Sequence, residues 1–283
     1  MPVRSVRRRV RLLPAALLAR PRLSALLGAF CIAFSGVLYR FALVSPETAS
    51  VFRAVYGLPL LVLAASIERR GAGPLPARGK AVAALAGVVF AADLLFWHHT
   101  IDAVGAGLAT VLGNLQVVVV AVAAWVLLGE RPSARTVAAL PVILAGVVLG
   151  IVTALSYAGY LMLIRQIGPR RVAEPVLIST ATTAVVATVV GLAVGRLDPV
   201  PSWPAHGWLA LLGVTSQSAG SLLISVSLPR LPAVVTSIIL LAQPVMAVFL
   251  AMLLLTETPS LAQLAGVALV IGGIALASAR VRS

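Results

Sequence analysis

Apolar residues fill this chain in long runs, and polar residues gather in the short stretches between them. The runs cover 23–44, 48–67, 80–101, 104–128, 135–150, 151–165, 174–195, 205–228, 231–255 and 260–279. SPE at 45–47, ERRGAGPLPARGK at 68–80, GERPS at 129–133, RQIGPRR at 165–171, GRLDPVPSWP at 195–204, PRLP at 229–232 and TETPS at 256–260 punctuate them. A helix rises about 1.5 Å per residue, so roughly 20 apolar residues cross a hydrocarbon core of about 30 Å. Strands of a membrane barrel would instead alternate over about 10 residues, a pattern absent here. The expectation is an all-α integral membrane protein of about ten transmembrane helices.

Basic residues sharpen the topology. With the N-terminus in the cytosol and a change of side at each run, one side holds Arg69, Arg70, Arg78, Lys80, Arg131, Arg135, Arg165, Arg170, Arg171, Arg230, Arg280 and Arg282. The other side holds little beyond Arg40 and Arg196. That asymmetry is the positive-inside pattern, and it favours ten crossings with both termini inside. Residues 1–22 carry seven basic residues and an apolar stretch too short to span, which predicts a cytosolic tail on anionic lipid. Residues 280–283 form a second cytosolic tail.

One junction resists this scheme. Residues 136–164 contain no polar loop, and the stretch is short for two crossings, which normally take about 40 residues. Taken as one helix it makes nine crossings and moves Arg165, Arg170, Arg171, Arg280 and Arg282 to the other side. Length favours one helix and charge favours two.

LLGERPS at 127–133 returns as LLTETPS at 254–260. At the same offset Ala106 meets Ala233, Gln116 meets Gln243, Glu130 meets Glu257, Pro132 meets Pro259 and Gly146 meets Gly273. The chain therefore divides into repeats at 23–150 and 151–279. Five crossings between copies would orient them oppositely, the inverted-repeat plan of many secondary transporters.

Composition agrees. Hydrophobic residues make up 60% of the chain, charged residues 11%, and mean hydropathy is +1.07. Soluble domains hold about 25% charged residues. The net charge of +14 lies in the tail and loops rather than on a basic face, which argues against nucleic acid as a partner. A lone Cys31 excludes an internal disulfide and a thiolate metal site.

The stretches GLATVLGNLQVVVVAVAAWVLLGERPSARTVAALPVILAGVVL and TSIILLAQPVMAVFLAMLLLTETPSLAQLAGVALVIGGIAL carry a family pattern. Each is an apolar helix with a polar midpoint, a Glu-x-Pro turn and a Gly-rich helix. In these stretches, and more weakly in Phe34-Ser35-Gly36 and Arg53, the chain resembles the EamA-type family of the drug/metabolite transporter superfamily over about residues 23–279. The resemblance implies two inverted five-helix halves and transport of small metabolites. The junction at 149–151 is shorter than the family pattern.

Ionisable residues inside apolar runs are costly and mark candidate function. Asp93 and Arg53 lie at similar depth near the outer ends of their runs, as a gate, a substrate clamp or a neutralised structural pair. His98, beside His99, is a candidate for proton coupling or a solvated interface histidine. Asn114, Gln116, Gln217 and Gln243 fall midway along their runs and are candidate substrate ligands or helix–helix glue. Pro244 would free a backbone carbonyl beside Gln243, and Ser216, Ser218 and Ser221 add hydroxyls. Trp97, Tyr157 and Tyr160 are candidate cavity walls or interface anchors. Glu130, Pro132, Glu257 and Pro259 fit a structural turn motif.

These features point to a secondary transporter or exporter of amino acids or drug-like compounds, working by alternating access in the cytoplasmic membrane. No nucleotide-binding loop, metal-ligand set, cofactor motif or catalytic residue is expected. The partners expected are a small-molecule substrate and membrane lipid, with the protein a monomer or a dimer. A transport-inactive membrane protein with a binding or scaffold role is the alternative; an intramembrane enzyme built on Asp93 and His98 is the other.

Overall fold

A computed structural model describes residues 20–107, 109, 148–256 and 258. All described elements are helical. In chain order they are α1 (Pro21–Ala42), α2 (Pro46–Ala72), α3 (Ala77–Val104), α4 (Val148–Ile167), α5 (Ala173–Ala193), α6 (Trp203–Arg230), α7 (Ala233–Leu240) and α8 (Ala242–Leu255). Five of them, α1, α2, α3, α5 and α6, are long and apolar enough to cross a membrane. Most of 105–147 and 257–283, where the fourth, fifth and tenth crossings are expected, lies outside the described residues.

Local sequence sets the helix limits. Ser45 caps α2 by accepting the Thr48 N–H at 3.1 Å, and Pro46 and Glu47 fill its first turn. Its last turn carries Arg69 and Arg70, and Gly73 ends it at φ 75°. Gly105 ends α3 at φ 85°. Helix α5 receives its cap from another helix: the Glu68 carboxylate accepts the N–H groups of Val172, Ala173 and Glu174 at 2.7, 2.9 and 3.0 Å.

Packing follows small and hydroxylated residues, as expected where lipid removes the hydrophobic drive between helices. The inner face of α5 presents Ser179, Thr180, Thr183, Ala184, Ala187 and Gly191, whereas Val185, Val189 and Leu192 point outward. A Cβ on Gly87 of α3 would stand 2.3 Å from the Ser179 carbonyl oxygen of α5. On the other side of the bundle, a Cβ on Gly213 of α6 would stand 2.8 Å from the Arg53 carbonyl oxygen of α2. Hydroxyls seal both contacts: Thr183 donates to the Gly87 carbonyl at 2.9 Å, and Ser218 to the Gly57 carbonyl at 2.8 Å.

The arrangement maps onto itself when α1, α2 and α3 are exchanged with α4, α5 and α6. Helix α2 lies along α5, α1 along α6 and α3 along α4, while α2 also meets α6 and α3 meets α5. Corresponding helices run in opposite directions. Ser45, before α2, donates to the carbonyl of Arg196, after α5, at 2.6 Å, and the Asp198 N–H donates to Thr48 at 2.8 Å. At the opposite face Arg171 donates to the carbonyls of Ala72 and Gly73. Arg165 at the end of α4 donates to the Leu228 and Leu231 carbonyls at the end of α6, at 3.1 and 2.8 Å.

These contacts bear on the junction conflict. Nine crossings would put Arg171 and Arg69 on opposite faces. The structure instead brings both to Glu174, at 3.7 and 2.8 Å. Arg69, Arg165 and Arg171 thus share one face, here called the basic face, and Ser45 and Arg196 share the other. Among the described residues the basic side chains thus fall on one face, as the charge pattern expects, where a buried carboxylate meets its cations.

Candidate functional site

A cavity of about 60 Å³, room for a few water molecules, opens among α1, α2, α3, α4, α6 and α8. Two buried ionisable residues face it. Arg53 is 3% exposed and reaches in from α2, two turns below the Ser45 face; Asp93 is 6% exposed and reaches in from α3. No ion pair joins them in the structure. Two ionisable groups of opposite type therefore share one small cavity without a direct ion pair, a costly arrangement unless something else meets them.

The walls are of two kinds. Phe90 and Tyr160 stack with centroids 4.4 Å apart, Tyr157 stands 6.1 Å from Tyr160, and Trp97 lies under the Arg53 guanidinium at 5.9 Å. That last spacing is a cation–π contact. The remaining lining is polar. The Thr153 hydroxyl is buried and has no hydrogen-bond partner among the described residues, while the Tyr160 hydroxyl faces those of Ser179, Ser221 and Ser225, and Gln243 meets the Tyr157 hydroxyl. Buried polar atoms are almost always paired, so an orphan hydroxyl beside these hydroxyls and an amide marks a place suited to meeting a polar solute.

Arg53 is oriented from behind. Its Nε–H donates to Gln217 Oε1 at 3.1 Å, and Gln217 Nε2 donates to Thr180 Oγ1 at 2.9 Å. Gln217 sits in a π-helical segment, Gly213–Gly220, within α6. Neighbouring hydroxyls anchor that segment, with Ser216 donating to the Cys31 carbonyl and Ser218 to that of Gly57. Such π segments are uncommon and recur at functional sites.

Of the residues singled out from sequence, Arg53, Asp93, Trp97, Tyr157 and Gln243 come together on the cavity, with Tyr160 and Ser221. Gln217 does not line it; its amide is occupied by Arg53 and Thr180 and it is 1% exposed. His98 does not line it either, and it is not solvated. It is fully buried, with Nδ1 2.9 Å from Ser50 Oγ and its ring 4.5 Å from that of Tyr39. Ser50 also donates to the Pro46 carbonyl, so its oxygen accepts from Nδ1–H. Asp93 and His98 are thus not joined into a catalytic pair. Asn114, Gln116, Glu130, Pro132, Glu257 and Pro259 lie outside the described residues.

Several contributors had no strong sequence signal. Thr153 and Thr180 look like ordinary helix threonines. Glu47, Glu68 and Glu174 sit at run ends, where carboxylates are usually solvated, yet Glu47 is 2% and Glu174 0% exposed. One signal was available: Glu47 and Glu174 are separated by the same offset as the two copies of the repeated phrase.

Comparison with known proteins completes the picture. The EamA-like transporter family matches the chain twice, over residues 22–150 and 145–279. The two matches overlap across the short junction. Thirteen solved chains match in fold. One, described only as the crystal structure of a protein, aligns with a TM-score of 0.65 at 16% identity, covering 91% of this chain and 98% of its own. No curated protein matches.

Proposed function

The chain belongs to the EamA-like transporter family, multi-pass membrane transporters of small molecules, and from that premise we propose that it carries small solutes bearing both a carboxylate and a cationic group. The family match supports transport. The observation that supports the solute class is the presence of Arg53 and Asp93, with no ion pair between them, facing one cavity beside the unpartnered Thr153 hydroxyl and the polar groups of Tyr160 and Gln243. The Arg53 fork takes the carboxylate, Asp93 takes the cation, and the polar groups of Thr153, Tyr160 and Gln243 order the rest. Phe90, Tyr157 and Tyr160 offer an apolar wall for a side chain, which suits amino acids over strongly hydrophilic ions. Asn114 and Gln116, polar residues midway along a run of the first repeat, are proposed as further solute ligands.

Movement is alternating access. Repeats over 23–150 and 151–279, ten helices in all, rock about the seam where α2 meets α5 and open the cavity to one face at a time. The basic face is cytosolic, in the cytoplasmic membrane, with the N-terminal tail on that side. No step of this reading calls for a cofactor or metal, and membrane lipid is the further partner it invokes, for a monomer or a dimer.

The test is uptake into proteoliposomes of a radiolabelled neutral amino acid, set against its decarboxylated amine and its deaminated acid. The proposal expects saturable uptake of the amino acid and at least about tenfold less of either analogue, since a buried charge left unpaired costs more than the roughly 1.4 kcal/mol that a factor of ten represents. Equal uptake of all three overturns it. Substrate-dependent stabilisation without flux would favour a binding role instead.

A further inference from the structure

Arg53 and Thr180 are separated by the same offset as Glu47 and Glu174 and as the two copies of the repeated phrase. They are the same position in the two repeats. At about 1.5 Å per residue, Arg53 lies about 10 Å in from the Ser45 face and Thr180 about 10 Å in from the basic face. One side chain touches both: Gln217 accepts from Arg53 and donates to Thr180. Arginine only donates, so the amide oxygen must face Arg53 and the nitrogen Thr180; no flipped assignment satisfies both.

We infer that Gln217 is a positioning residue, held between equivalent positions of the two repeats, that aims the Arg53 guanidinium into the cavity. The relay spends the Arg53 Nε–H and leaves the four N–H groups of its terminal nitrogens for a carboxylate. With Trp97 beneath the guanidinium plane, that fork has one orientation. The relay also joins α2 of the first half to α5 and α6 of the second. When the halves part along this seam the relay breaks, and Arg53 loses its aim. Solute capture and the arrangement of the halves are then one event. The purpose of this relay rests on the solute site proposed above; its geometry does not.

The experiment uses the full chain with ¹⁵N-labelled arginine in lipid nanodiscs, following the Arg53 Nε–H signal by NMR. Loss of the signal in Arg53→Lys assigns it. Hydrogen bonds to charged groups are among the stronger ones, so Gln217→Leu should speed exchange of that proton by about tenfold and move its shift. Gln217→Glu keeps an acceptor oxygen and should preserve slow exchange. Thr180→Val removes the far anchor and should speed exchange by about threefold, a smaller effect than loss of the direct bond. Unchanged exchange in Gln217→Leu overturns the inference, as does Gln217→Glu behaving like Gln217→Leu. If Gln217→Leu does not fold, unchanged exchange in Thr180→Val overturns it alone. No readout needs transport, so a protein that fails the uptake assay can still pass this one, and the reverse.

Discussion

Glu47 and Glu174 occupy the same position in the two repeats, at opposite faces of the membrane, and they are held very differently. Glu174 is ringed by Arg69 at 2.8 Å, Arg171 at 3.7 Å and the Leu75 N–H at 2.8 Å. Beside it, Glu68 caps the start of α5. Glu47 has His99 Nε2 at 3.1 Å, on a side chain 38% exposed. The repeat supplies a buried carboxylate at each end. The rest of the sequence decides how firmly each end is tied: guanidinium groups and backbone donors lock the basic face, whereas at the other a single imidazole meets the carboxylate and two neutral hydrogen bonds, Ser45 to Arg196 and Asp198 to Thr48, join the halves. In an alternating-access protein the weaker end opens at lower cost, so this conformation should open first at the Ser45 face.

Helix contacts give the largest way to break that comparison, because both faces depend on them. Gly87→Ala forces a methyl against the Ser179 carbonyl and should cost about 3 kcal/mol in SDS-titration unfolding, near the upper end for overpacking. Gly207, whose added Cβ would meet nothing within 4 Å, is the control. Next in size is Glu174→Gln, which strips the carboxylate from two arginines. The half-exposed Arg69 recovers some hydration, so about 2 kcal/mol is expected, less than for a fully buried pair. Smaller still, Glu47→Gln should cost about 0.5 kcal/mol, because its one side-chain partner, His99, is substantially exposed. An equal cost for Glu47→Gln and Glu174→Gln would erase the asymmetry. Gly207→Ala should be the smallest, a gain of no more than about 0.5 kcal/mol from helix propensity.

Much of this architecture was legible in the chain. Apolar runs marked the helices to within a few residues, because a bilayer fixes both length and composition. The positive-inside count put Arg69, Arg165 and Arg171 on one face against the evidence of loop length, and Glu174 shows why: three helix ends are wired together there. The site was legible in part. Arg53 and Asp93 stood out because ionisable residues in apolar runs are rare. Gln217 stood out as polar, but polarity cannot say whether an amide faces a cavity or a neighbouring helix, and its partner Thr180 is one threonine among several. His98 looked like an interface residue by position, while Ser50 and Tyr39, far away in sequence, bury it. Partners supplied by other helices are what a one-dimensional pattern lacks.

The most direct test of the central claim, two oppositely oriented halves that open one face at a time, is to lock each face in turn and measure flux. Cys31→Ser leaves no native cysteine. Ser45→Cys with Arg196→Cys then bridges one face, and Gly73→Cys with Arg171→Cys bridges the other. Alternating access predicts that oxidising either pair abolishes amino-acid uptake into proteoliposomes and that reduction restores it. Full uptake with one face verifiably cross-linked would contradict the account.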